Sequence, residues 1–311
     1  MKKITLLLNT VICLAVLSGC NSGASGASTP NSTNLATLNE SSVKSTQDTS
    51  FGHNIGLVVT NDKNLDFYKD DKFISTVWKF EDQPTSVRIA SVGDLATNKP
   101  FVAYVTTKIR GFIGRGGILK KCTAAPLSGD GMDCVTIDRF NDTVYAANLD
   151  ENGNGYTINV GDALSTVSKY ANNQLIDYKF VQGWLLSSYN GSLEVYNDTL
   201  YFVNGGRLLK YNFGEKQDTV TEFNKGLASL SVDKDLNGYG NDDYSLYHML
   251  AGSNLEKVHT FEDRITNISS TGSWIYVVTD GNELKKCDTG GDCSTIDTFG
   301  STPTGVSFRA L

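Results

Sequence analysis

One five-residue phrase recurs six times, and it constrains the fold more than any other feature of the chain. A Thr or Lys, a Val or Ile, two variable residues and a Phe or Tyr appear as TVWKF (76–80), TIDRF (136–140), TVSKY (166–170), TVTEF (219–223), KVHTF (257–261) and TIDTF (295–299). β-Branched and aromatic residues of this kind favour strands. Short apolar runs bounded by Gly, Asn and Asp fill the intervals, and no stretch sustains a helical period. The mean spacing of about 44 residues matches a unit of four short strands. The individual steps are uneven, at 60, 30, 53, 38 and 38 residues.

Two further phrases give the units an order. LVVTNDKNLDFY (57–68), LYFVNGGRLLKY (200–211) and IYVVTDGNELKKC (275–287) each read as strand, Gly/Asn/Asp turn, strand. That turn chemistry suits positive φ and predicts hairpins. Pro84-Thr85-Ser86-Val87 is matched near the end by Pro303-Thr304-Gly305-Val306. The chain therefore ends on the opening strand of a unit (GVSFRAL, 305–311), while the domain begins near Asn54 without one. The simplest account is an all-β β-propeller closed by the C-terminal strand completing the N-terminal blade. The phrase predicts six blades, with five or seven open because the spacing is uneven; a sandwich or solenoid is the competing all-β reading.

The N-terminus has a different character. Lys2 and Lys3 precede an apolar run over Ile4–Val16 that is too short to span a bilayer, as in a signal peptide. It ends in Leu17-Ser18-Gly19-Cys20, which resembles the lipobox of bacterial lipoproteins. The resemblance implies a signal peptide over 1–19, cleavage before Cys20, a diacylglyceryl group on its sulfur and acylation of the new amine. Two or more acyl chains hold a protein stably on a membrane. Asn21 takes the place where Asp would retain such a protein at the inner membrane, so the resemblance favours the outer one. Residues 20–50 are rich in Ser, Thr, Asn and Gly and predict a disordered tether, leaving 51–311 as the propeller domain.

Charge and cysteine usage narrow the class. The chain has 27 basic and 34 acidic residues, and loss of Lys2 and Lys3 with the signal takes the formal charge from −7 to about −9. Such acidity argues against nucleic acid as a partner and against electrostatic adhesion to anionic lipid. Apart from Cys13 and Cys20, four cysteines remain: Cys122, Cys134, Cys287 and Cys293. An even set in an exported chain predicts disulfides. LKKC(122)…C(134)VTIDRF and LKKC(287)…C(293)STIDTF are one construction with two loop lengths. Local bridges, Cys122–Cys134 and Cys287–Cys293, should therefore close hairpins between the outer strands of two blades.

The sharpest chemical signal is Asp233-Lys-Asp235-Leu-Asn237-Gly238-Tyr239-Gly-Asn241. Oxygen-bearing side chains at positions 1, 3, 5 and 9, with Gly at 6, suit a hard cation. Tyr244 stands where an EF-hand needs Glu, and the loop resembles instead the calcium loops of integrin-type (FG-GAP) propeller blades. That resemblance implies a structural Ca²⁺ held by Asp233, Asp235, Asn237 and Asn241; Asp150-Glu-Asn152-Gly-Asn154-Gly155 is a weaker echo. The competing reading is that Asp, Asn and Gly simply form tight turns. No catalytic constellation emerges from His53, His248 and His259, and no G-x-S-x-G elbow is present. The leading expectation is a non-enzymatic envelope lipoprotein whose propeller binds a protein partner or acts as a scaffold. A carbohydrate-binding or adhesive surface protein, using Trp78, Trp184 and Trp274, and a propeller lyase or hydrolase are the alternatives.

Overall fold

A computed structural model describes residues 53–311 apart from 111–114, 126–130, 161–164, 182–192, 205, 214, 216–217, 224–225 and 252–253. The expected signal peptide, Cys20 and the linker lie outside the described residues, as does Trp184. Six four-stranded antiparallel sheets make up the fold. The first holds β1 (Asn54–Thr60), β2 (Asn64–Lys69) and β3 (Lys72–Lys79); the second holds β4 (Gln83–Ser91), β5 (Phe101–Arg110), β6 (Arg115–Ala124) and β7 (Asp133–Phe140). The third consists of β8 (Thr143–Leu149), β9 (Gly155–Val160), β10 (Ser165–Ala171) and β11 (Gln174–Val181). The fourth consists of β12 (Glu194–Tyr196), β13 (Thr199–Asn204), β14 (Arg207–Asn212) and β15 (Asp218–Glu222). The fifth runs through β16 (Ser229–Val232), β17 (Gly238–Asn241), β18 (Ser245–Met249) and β19 (Leu255–Thr260). The sixth runs through β20 (Ile265–Ser270), β21 (Ile275–Thr279), β22 (Glu283–Cys287) and β23 (Cys293–Thr298), and β24 (Pro303–Ala310) then pairs with β1 to complete the first sheet. The chain folds as a six-bladed β-propeller.

Closure depends on close packing at one glycine. Gly56 on β1 faces Phe308 on β24, and a Cβ at Gly56 would lie 2.2 Å from the Phe308 ring. The ring is thereby free to stack on Tyr276 of the sixth blade, with centroids 3.6 Å apart. The closing strand thus joins its own sheet and the core it shares with the neighbouring blade.

The recurring phrase marks a β-bulge. Its Val or Ile is the extra residue in the outermost strand: Val77, Ile137, Val220, Val258 and Ile296 are each skipped in the register with the third strand. A bulge bends and twists the strand, and in these five blades it turns the apolar residue toward the core between blades. The third blade departs from expectation. TVSKY lies on β10, the third strand, and the bulge on the fourth strand, β11, falls at Ile176. The true counterpart is Leu175-Ile176-Asp177-Tyr178-Lys179, which lacks both the Thr and the terminal aromatic. With Lys179 in place of Tyr170, the steps become 60, 39, 44, 38 and 38 residues, so most of the unevenness came from that one misplaced phrase.

Both disulfides connect facing residues of adjacent outer strands, Cys122 with Cys134 and Cys287 with Cys293. The tips they pin also meet the preceding blade. Met132 N–H donates to the Val77 carbonyl at 3.1 Å, on the bulge of the first blade. At the second tip, a Cβ on Gly291 (φ +93°) would approach the Val258 carbonyl to 2.5 Å, on the bulge of the fifth.

Buried tyrosines supply a second set of links between blades. Tyr68 donates to Asp297 at 2.5 Å, Tyr170 to Asp138 at 2.7 Å and Tyr276 to Asp71 at 2.6 Å, while Tyr156 bonds Asp198 and Tyr104 reaches Asn173 at 2.7 Å. Asp138 and Asp297 share one position of the recurring phrase, directly after the bulge.

Candidate functional site

The innermost strands line the central channel, and hydroxyl groups stitch them together. Thr266 donates to the Pro303 carbonyl at 2.7 Å, Thr304 to that of Pro84 at 3.0 Å and Thr85 to that of Val144 at 3.0 Å. The repeated Pro-Thr phrase is therefore a contact between successive blades. Three residues further along each strand, the direction reverses. Ser231 accepts the Ser270 N–H, Ser269 the Phe308 N–H and Ser307 the Ile89 N–H, at 2.9, 2.9 and 3.0 Å.

This register brings one side chain from each blade to the same level of the channel: Ser231, Ser269, Ser307, Arg88, Asn148 and Glu194. Where the serine pattern reaches the second blade, Arg88 replaces it. Its guanidinium makes a bidentate bridge to Glu194, Nη1–Oε1 3.0 Å and Nη2–Oε2 2.6 Å, while Asn148 Nδ2 donates to the Glu194 carboxylate at 3.3 Å. Glu194 is buried, with 3 % of its side chain exposed. Burial pushes its pKa up against the downward pull of Arg88. A buried charge is held only by such paired, charge-assisted bonds, and removing one partner from a buried pair costs about 3–5 kcal/mol.

Above this level a cavity of about 830 Å³ opens at the channel mouth. Arg309, Tyr196, Asp233 and Thr271, each two residues beyond the polar ring on its strand, form part of its wall together with Tyr239 and His248. The last two rings lie against each other, with centroids 5.1 Å apart. The Tyr196 hydroxyl donates to the Val232 carbonyl. Arg309 is exposed at the cavity, and its side chain forms no hydrogen bond or ion pair with another described residue. Partial desolvation, followed by the Arg88 charge, draws its pKa below the usual arginine value.

Asp233 begins the loop that resembles a calcium site, and the Asn237 amide lies 3.4 Å from its carboxylate while Asp235 and Asn241 are engaged elsewhere. Asp233 Oδ1 accepts the backbone N–H groups of Asp235 and Asn237 at 2.8 and 2.9 Å. Partial burial works to raise its pKa, but these donors outweigh it and hold the carboxyl below the usual carboxylate value. The Asp235 carboxylate is paired with Lys234 at 2.6 Å, and Asn237 Oδ1 accepts the Ala251 N–H at 2.9 Å. Asn241 is fully buried on β17 and accepts from Ser229. Asp150 captures the N–H groups of Asn152 and Asn154 in the same way. So does Asp288, with Gly290 and Asp292, in a loop without the calcium-like spacing. The shared geometry is an Asp-capped turn.

The remaining candidates are dispersed. His53 pairs with Asp70 at 2.9 Å, and His259 packs on Phe261. Trp78 packs against the core between the first two blades, and Trp274 carries the Lys286 ammonium 3.9 Å from its ring centroid. One feature of the outer surface has no counterpart among the sequence expectations. On β11, Leu175, Ile176, Tyr178 and Phe180 are 45, 54, 51 and 62 % exposed. Every other bulged Val or Ile is buried or half-buried. The alternate residues Tyr178 and Phe180 meet edge to face, 5.6 Å between centroids.

No protein-family model matches the chain, and no curated protein is similar to it. Among solved structures, the WD40 β-propeller domain of Doa1 is similar over 81 % of each chain, at 12 % identity and a TM-score of 0.50. The likeness is one of fold alone. The streptogramin B lyase structure is similar over 71 % of each chain, at 14 % identity and a TM-score of 0.46. The computationally designed Ika8 protein covers 81 % of this chain and 86 % of its own, at 9 % identity and a TM-score of 0.45.

Proposed function

We propose that the chain is an envelope lipoprotein, tethered through lipidated Cys20 and the polar segment 20–50, whose propeller serves as a non-enzymatic protein-binding module. The observation that carries this reading is β11. It is an outermost strand of eight residues, so among the described residues one edge of its backbone has no neighbouring strand. Soluble proteins normally blunt such edges with charge, proline or a covering element, because an apolar edge templates pairing with another chain. Besides the Asp177–Lys179 ion pair and the bulge at Ile176, this strand presents Leu175, Ile176, Tyr178 and Phe180 to solvent. The occupant that fits is an extended segment of another envelope protein, added to the third blade as a fifth strand. Backbone bonds would supply affinity, and the apolar side chains specificity. Tyrosine is a common interface anchor, because it offers a large contact area with few rotatable bonds. Two local disulfides are consistent with an oxidising compartment.

The test has two arms in intact cells. Cys20→Ala should abolish palmitate labelling and release or stall the protein; equal labelling of wild type and variant would refute the anchor. A photo-crosslinker at position 178 or 180 should yield one discrete adduct, which Ile176→Asp removes. Calcium at the Asp233 loop is a separate proposal, and it requires Asp235 to leave Lys234 and Asn237 to leave Ala251.

A further inference from the structure

The channel mouth has more hydrogen-bond donors than its own wall can satisfy. Ser231, Ser269 and Ser307 each accept a backbone N–H, which leaves each hydroxyl proton without an acceptor among the described residues. All three line the cavity and are more than nine-tenths buried. Arg88 spends its two terminal nitrogens on Glu194, and its Nε is buried without a partner. Arg309 contributes a complete guanidinium with no bonded acceptor. Buried donors left unpaired are costly, so such a wall selects a ligand that brings acceptors.

Charge narrows the class further. Glu194 neutralises Arg88, and the Asp233 carboxylate is turned into its own loop by two backbone N–H groups. Arg309 is therefore the one cation on the wall whose donors are free, and the ionised Asp233 carboxylate shares that wall. A guanidinium fork matches a carboxylate in shape as well as sign. A single free guanidinium beside the Asp233 carboxylate suits a monoanion better than the dianion of phosphate, which Asp233 would repel. The cavity, at about 830 Å³, is far larger than a bare carboxylate. The paired rings of Tyr239 and His248 offer a flat surface for the rest of the molecule. From this convergence of Arg309, the buried serine hydroxyls and Arg88 Nε on one cavity, we infer that the channel mouth binds a small monocarboxylate with a polar, ring-sized body. The site is independent of the β11 surface.

The experiment is isothermal titration of the purified full-length chain in detergent, with glucuronate, acetate, glucose and inorganic phosphate as probes. Glucuronate should bind saturably at one site per chain, more tightly than phosphate, while glucose gives no binding heat. Arg309→Gln, which removes no side-chain bond to another described residue, should weaken glucuronate at least tenfold with an unchanged melting curve. In the wild type, glucuronate should also slow modification of Arg309 by phenylglyoxal, a readout that needs no variant. The inference is overturned if neither carboxylate binds, if phosphate binds as tightly as glucuronate, or if Arg309→Gln binds as the wild type does.

Discussion

Five tyrosines make the stability of this propeller steeply dependent on alkaline pH. Tyr68, Tyr104, Tyr156, Tyr170 and Tyr276 are each no more than 1 % exposed, and each hydroxyl donates to a residue of a neighbouring blade. Burial raises all five pKa values, and a nearby carboxylate charge raises them further. The folded pKa lies above the unfolded one, so the contribution to stability is complete below the unfolded value of about 10 and is lost as pH climbs through it. At pH 11 an unfolded tyrosine has gained RT ln(1 + 10), about 1.4 kcal/mol, that the native one has not. Five such groups remove about 7 kcal/mol, comparable with the whole stability of many domains. Guanidinium unfolding at pH 9 and pH 11, read by fluorescence, measures the difference. Tyrosinate absorbance in the native state provides an independent check: these five of the fourteen tyrosines should stay silent until the chain unfolds. Tyr170→Phe should reduce the alkaline loss by about 1.4 kcal/mol, because one titrating group is gone. A stability constant to within 1 kcal/mol across this range, or reversible titration of all fourteen with the fold intact, would refute the reasoning.

Three further outcomes are expected. Non-reducing peptide mapping should find Cys122 with Cys134 and Cys287 with Cys293, and reduction should cost about 2–3 kcal/mol per bridge; a Cys122–Cys287 peptide would contradict the blade order. Arg88→Ala should destabilise the chain by about 3–5 kcal/mol in denaturant unfolding, and Arg88→Met with Glu194→Leu should recover most of it; a loss under 1 kcal/mol in the single variant would mean the pair is not buried in solution. For the calcium proposal, millimolar calcium added to metal-free protein should raise the melting temperature, and Asp233→Ala with Asp235→Ala should remove the rise; identical curves with chelator and with calcium leave an Asp-capped turn.

The sequence carried the architecture well because its repeated positions answer repeated physical needs. A bulge needs an apolar β-branched residue turned between blades, and that need wrote Val or Ile into the phrase five times. Pro-Thr recurs because the Thr hydroxyl reaches the next blade. The phrase misled at TVSKY, where a third strand happens to have the composition of a fourth, while β11 has exchanged Thr for Leu175 and Phe for Lys179. The channel site was harder to read because Arg88, Glu194 and Arg309 come from three blades and meet only through ring geometry. One signal was present: aligned on Pro-Thr, Arg88 occupies the place that Ser307 fills in the closing strand. At the Asp233 loop, the spacing shows which oxygens are near one another but not that Asp233 Oδ1 also accepts two backbone N–H groups.

Photo-crosslinking in intact cells tests most directly whether β11 is a docking edge. A crosslinker at Phe180 should give a discrete adduct with another envelope protein, and one at Thr221, on the outermost strand of the next blade, should not. The Phe180 adduct should disappear in Ile176→Asp while the chain keeps its melting temperature. Equal adducts at both positions, an adduct that is only a dimer of this chain, or no adduct at Phe180 would contradict the proposed function.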